Sequence, residues 1–271
     1  MAATRERRVA PAEHSAPARE HPTPGREHQA PGRERPAFYA LGGGRVGDAV
    51  TLLHPPYTAW HLSYFALGAA VAPTLHVNRL LWGLAAFALA VGVAAHAFDE
   101  LHERPLRTSI SDRTLVFVGV AGLLGALAIG VAGVLTVTSW LAPFVLVGGL
   151  LLLAYNLELA GGRFHGDAWF ALGWGAFPAL TGYFVNAEKL TLTGVLIAAG
   201  CLAMSVAQRR LSSAARELRR RTLALSGTRT RSDGSSEELS LGGLLGPLDG
   251  ALAALSLAIV VLACALVLAR L

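Results

Sequence analysis

Seven apolar runs, at residues 59–77, 80–98, 115–136, 140–155, 168–185, 191–207 and 248–269, alternate with polar connections along the chain. A helix needs roughly 20 apolar residues to cross a hydrocarbon core of ~30 Å, and all but two of the runs approach or exceed that length. The expected fold is all-α, a polytopic transmembrane helical bundle of about seven spans. With the N-terminus placed inside, the inner connections hold 20 of the 23 Lys and Arg residues, and the outer ones hold only Arg79, Lys189 and Arg270. Basic residues collect on the cytoplasmic side of a membrane, so the sequence predicts an integral plasma-membrane protein with a cytoplasmic N-terminus.

Composition agrees: 53% of residues are hydrophobic and 15% are charged, a balance that excludes an ordinary soluble domain. The 30 glycines suit helices that approach closely in lipid. The net charge of +5 is carried by residues flanking the spans. It reads as a topology signal and as contact with anionic lipid headgroups, not as a nucleic-acid footprint. Cys201 and Cys264 both fall inside apolar runs, with neither metal-ligand spacing nor a disulfide framework.

The first 36 residues contain no apolar core of a signal peptide. They form a degenerate seven-residue repeat (Arg19-Glu20-His21-Pro22, Arg26-Glu27-His28-Gln29, Arg33-Glu34-Arg35-Pro36), in which His14, His21 and His28 recur. Such a stretch cannot bury a core. The expected organisation is a disordered cytoplasmic tail at 1–50, a helical core at 51–225, a flexible cytoplasmic linker at 226–246 and a C-terminal transmembrane helix at 247–271.

Three inner segments concentrate the polar chemistry. The first closes the second run, His96-Ala97-Phe98-Asp99-Glu100-Leu101-His102-Glu103-Arg104-Pro105. A helix continuing to residue 103 would place His96, Asp99 and Glu103 on one face. Carboxylates at the mouth of a bundle are expensive unless hydrated, paired or bound to a cation. Two of them suit a Mg²⁺ that completes its shell with water and phosphate. The second segment, Tyr155 to Asp167, joins the fourth and fifth runs and carries Glu158, Arg163 and His165 around three glycines. The third, Gln208 to Thr222, holds six arginines and reads as a helical extension along the headgroups.

Taken in order, these segments resemble the UbiA-type membrane prenyltransferases, over about residues 52–225. His54-Pro55-Pro56-Tyr57-Thr58 is similar to the family's opening Arg-Pro-x-x-Thr element. Ala95, His96, Asp99 and Glu103 stand at the positions of its Asn-Asp-x-x-Asp-x-x-x-Asp motif. Arg104-Pro105-Leu106 and Ile110-Ser111-Asp112-Arg113-Thr114 resemble the stretch that follows. The resemblance implies transfer of a prenyl group from an isoprenoid diphosphate to an aromatic or other lipid-soluble acceptor. It implies catalytic work by Asp99, Glu103, Tyr155 and Asp167, Mg²⁺ held by His96, Asp99 and Glu103, and diphosphate contacts from Arg104, Arg163, Arg209 and Arg210. It places the lipid tail among aromatics such as Trp82, Phe87, Trp169, Phe170 and Trp174.

The chain also departs from the family pattern. Ala95 and His96 replace an Asn-Asp pair, and Leu211, Ser213 and Ala215 stand where a second acidic motif belongs. Half the metal-binding charge is thereby gone, and metal stabilisation of a leaving phosphate is worth several kcal/mol. The alternative expectation is a catalytically inactive relative that binds isoprenoid lipid or scaffolds a partner enzyme.

Overall fold

A computed structural model describes residues 36–41, 44–102 and 104–271. The repeat with His14, His21 and His28 lies outside the described residues. A helix stands at each of the seven expected positions: α2 (Pro55–Ala70), α3 (Val77–Leu101), α4 (Asp112–Thr136), α5 (Ser139–Asn156), α6 (residues 167–187), α7 (Leu192–Arg221) and α8 (Leu241–Leu268). A short helix, α1 (Arg45–Leu52), precedes them. Five of these, α3, α4, α5, α7 and α8, are long and apolar enough to cross a membrane. They carry large exposed apolar side chains such as Phe117, Leu124, Leu146, Leu196 and Leu257. Contiguous exposed apolar surface of this kind is what lipid covers. The protein is an all-α, membrane-integral helical bundle.

The other two helices form its centre. Pro55 and Pro56 open α2 in the first turn, where a missing backbone N–H is harmless. With 16 residues α2 is ~24 Å long, and nearly all of it from Trp60 to Ala70 is buried. Against it lies α6, at backbone contact. A Cβ on Gly68 would stand 1.9 Å from the Ala179 carbonyl oxygen, and one on Gly182 2.0 Å from that of Phe65. Only glycine fits at these two crossings, the close approach that small residues permit between membrane helices. Buried Trp60, Tyr64 and Phe65 of α2 and Ala179 of α6 pack with Cys201 of α7 and Ile259 and Ala263 of α8.

Contacts between connections show that the helices run alternately up and down. At one end His76 N–H donates to Asn186 Oδ1 (2.8 Å), Arg79 pairs with Glu188 (2.8 Å), and Arg270 donates to the Pro73 carbonyl (2.8 Å). At the other end Asp48 accepts from Ser109 N–H (2.8 Å), Asp167 pairs with Arg209 (2.8 Å), and Arg219 pairs with Asp249. That second end collects the three polar segments singled out in the sequence.

Three boundaries differ from expectation. Part of the segment expected as tail is built into the fold: Ala37 and Ala40 are buried, Phe38 and Tyr39 pack edge-on against Tyr57, and residues 45–52 are helical. The aromatic pair supplies the apolar surface that the preceding repeat lacks. The expected linker holds a small antiparallel ribbon, β1 (Thr228–Thr230) paired with β2 (Ser236–Glu238), closed by a turn with Gly234 at φ 84°. Finally, α8 starts six residues before Pro247, because Ser240 caps it by accepting from Gly243 N–H (3.1 Å).

Candidate functional site

The end of α3 sets the site. Its helix stops at Leu101 and His102 is extended, so the continuing helix that would align His96, Asp99 and Glu103 does not form. Glu103 lies outside the described residues. The cause is Glu100, whose side chain was not singled out in the sequence. It is fully buried and accepts from Leu106 N–H, Thr108 N–H and Thr108 Oγ1, each at 2.9 Å. A carboxylate filled by three donors holds the 104–108 segment back against the helix end. Arg104, at φ 49°, serves the same turn: it donates to the carbonyls of Thr108 and Ile110 and pairs with Asp112. The expected diphosphate contact at Arg104 is therefore a loop clamp.

Over the end of α3 lies His54, the residue before α2. Its ring stacks on His96 with centroids 4.0 Å apart and planes within 8°. His96 Nδ1 faces the Gly92 carbonyl of its own helix (3.2 Å), and His54 Nδ1 faces the Tyr39 hydroxyl (2.7 Å). Burial, then the neighbouring His96, Arg220 and Arg216, hold the His54 imidazole well below its usual range. Burial first, then Tyr57, pushes the Tyr39 phenol well above its own. At this end, then, His54 is neutral and Tyr39 keeps its proton.

The segment after α5 closes the opposite wall. Tyr155 is buried, stacks on His165 (4.4 Å) and meets Trp174 (4.4 Å), while His165 Nδ1 faces the Tyr155 carbonyl (3.0 Å). Asp167 does not point inward. Its side chain is 76% exposed and pairs with Arg209 Nε (2.8 Å), which holds the carboxyl below the usual range. Arg209 also lies over the Phe170 ring at 5.1 Å. Arg163 and Arg210 are exposed and make no ion pair among the described residues. Of the expected set, Tyr155 packs in one cluster with Ala95 and Phe98, the helix neighbours of His96 and Asp99, while Asp167 pairs with Arg209, Arg104 pairs with Asp112, and Arg163 and Arg210 are exposed.

Two arginines further along α7 take the place of those four. Arg216 and Arg220 sit one turn apart, both half-buried; Arg216 donates to Ser212 and Ser213 and Arg220 to the Pro36 carbonyl. Their spacing of four was legible in the sequence; what could not be read there is which of six arginines turns inward. Three helices reach this region through wide π turns, Ala88–Ala95 in α3, Ala171–Ala176 in α6 and Glu217–Arg221 in α7. Such turns are uncommon and concentrate at functional sites.

Behind Trp174 the bundle holds a half-open apolar cavity of about 660 Å³. Trp82, Phe87, Leu127, Phe144 and Phe177 line it, and it extends to Asn78 and Arg79 at the far end. Trp82, Phe87 and Trp174 of the expected tail contacts are there. Trp169 packs on Phe164 instead, and Phe170 stacks on Trp174 outside the cavity.

Of the expected Mg²⁺ donors only His96 and Asp99 lie among the described residues. Among the described residues no three His, Cys, Asp or Glu side chains converge as a metal site. Glu100 and Asp167 are filled by other partners. No family model, curated protein or solved structure matches the chain.

Proposed function

We propose that the chain is a divergent UbiA-like membrane prenyltransferase with seven crossings and a cytoplasmic N-terminus. It takes an isoprenoid diphosphate with the head at the Arg216–Arg220 end and the tail in the cavity behind Trp174. The observation that carries this reading is the juxtaposition of two arginines with no carboxylate partner among the described residues and an apolar chamber of ligand size, joined through Trp174 and Tyr155. In transfer, the bond between the allylic carbon and the diphosphate oxygen breaks and its electron pair leaves with the diphosphate. The acceptor's electron pair forms the new bond at that carbon, and the acceptor then loses a proton to water. Guanidinium groups neutralise the leaving charge. The faces of Tyr155 and Trp174 suit the allylic cation.

The test is to incubate full-length protein in detergent with geranylgeranyl diphosphate and a membrane lipid extract. Pyrophosphate release and a prenylated lipid, seen by mass spectrometry, are expected. A second reading, a silent binder of isoprenoid lipid, is favoured by the structural use of Glu100 and the pairing of Asp167 with Arg209. Binding without release selects it.

A further inference from the structure

Two half-buried arginines on α7 have no carboxylate partner among the described residues. Arg104, Arg209, Arg219 and Arg221 each have a carboxylate partner, in Asp112, Asp167, Asp249 and Glu217. Among the described residues Arg216 has only the hydroxyls of Ser212 (3.4 Å) and Ser213 (2.9 Å). Arg220 donates to the Pro36 carbonyl (3.3 Å), and its Nε is buried with no partner among the described residues. Guanidinium groups taken out of water without a counter-charge are costly, since desolvation is not repaid. Residues four apart share one helix face, so the two forks project together.

His54 is unpaired in the same way. Its Nε2 is buried and has no partner among the described residues. The tautomer in which Tyr39 donates to Nδ1 puts the ring proton on Nε2, as a third donor. Tyr39, which bonds His54, lies three residues from Pro36, whose carbonyl accepts from Arg220, so His54 and Arg220 belong to one region, with Arg216 one turn before Arg220.

From this arrangement we infer that Arg216, Arg220 and His54 form a metal-independent oxyanion site that binds the phosphate head of an amphiphile directly. The inference rests on the proposed function and deepens it by removing the divalent cation. Several oxygens bearing two or more charges match two planar forks and an N–H, a geometry that guanidinium recognises and a single carboxylate would leave half-filled. A divalent cation would add charge where two arginines already stand. A prenyl diphosphate, free pyrophosphate and a phosphatidic acid headgroup share this chemistry, so the experiment separates them.

Full-length protein in detergent is titrated with geranylgeranyl diphosphate, with pyrophosphate and with phosphatidic acid in mixed micelles, each in EDTA and in Mg²⁺. Geranylgeranyl diphosphate should bind equally in both. Arg216→Gln and Arg220→Gln should each weaken it about tenfold or more, the worth of a charged hydrogen bond. Arg229→Gln, on the exposed ribbon, should not. If the glutamine variants fail to fold, Arg216→Lys keeps the charge, loses the fork and should still bind more weakly. Binding that vanishes in EDTA overturns the metal-free site and leaves prenyl transfer standing. Binding indifferent to both arginine variants overturns the residue assignment. Phosphatidic acid binding alone upholds the oxyanion site and removes the prenyl reading, and binding of none of the three overturns both.

Discussion

Gly182 lies so close to Phe65 that a single added methyl would stand 2.0 Å from the Phe65 carbonyl oxygen. Backbone cannot yield as a side-chain tip can. Overpacking typically costs about 1–3 kcal/mol and more where the backbone must move. Gly182→Ala should therefore lower the thermal midpoint in detergent by several degrees or abolish the monodisperse protein. Gly200→Ala, where nothing lies within 4 Å, should be neutral or slightly stabilising, because alanine favours a helix interior by about 1 kcal/mol. Equal behaviour of the two variants would show that the α2–α6 crossing is not as tight as described.

Glu100 organises the turn after α3. Glu100→Ala strands two backbone N–H groups and a hydroxyl that are now satisfied, at about 1–3 kcal/mol for each donor left buried and unpaired. The 104–108 segment should detach. Limited trypsin digestion should then cut after Arg107 in the variant and spare the parent. A parent cut just as fast at Arg107 contradicts the role assigned to Glu100.

Much of the fold was legible because lipid-facing helices are written as long apolar runs, and all seven runs became helices. Their ends were less legible. The arginines after residue 207 read as a headgroup-lying extension, yet the same helix continues unbroken to Arg216 and then widens into a π turn. The site was legible only in part. Asp99 and Tyr155 stood out by type and position. Glu100 did not, since its function depends on a segment folding back from six to eight residues away. Asp249, paired with Arg219 across 30 residues, was hidden inside an apolar run, and no local pattern marks it.

Asp167 pairs at the surface, and its pH behaviour follows from that. The hydrogen bond from Arg209 holds its folded-state carboxyl below the usual range. A depressed value means that the pair stabilises above the unfolded value, about 4. That contribution fades as the pH falls through the folded one. With the side chain 76% exposed, water screens the pair to at most about 1 kcal/mol. Asp167→Asn should shift the thermal midpoint by no more than a few degrees at pH 7, and by less at pH 3. A large loss at pH 7 would mean that the carboxylate does more than pair with Arg209.

Filling the cavity separates tail from head. Ala126 lines the chamber, and Ala126→Phe should weaken geranylgeranyl diphosphate binding by about tenfold, the scale of one or two displaced methylenes' worth of apolar burial. Pyrophosphate binding should be unchanged. Loss of both would place the head, not the tail, in the chamber.

The most direct measurement uses a prenyl diphosphate carrying a diazirine near the end of its chain. After irradiation with full-length protein, the labelled peptides are mapped by mass spectrometry. The label should fall on residues lining the chamber, such as Phe87, Leu127 or Phe177, and at sub-saturating ligand should fall about tenfold or more in Arg216→Gln. Label on the outward faces of α4 and α8, or label indifferent to Arg216, would contradict a diphosphate amphiphile bound with its head at the arginine pair.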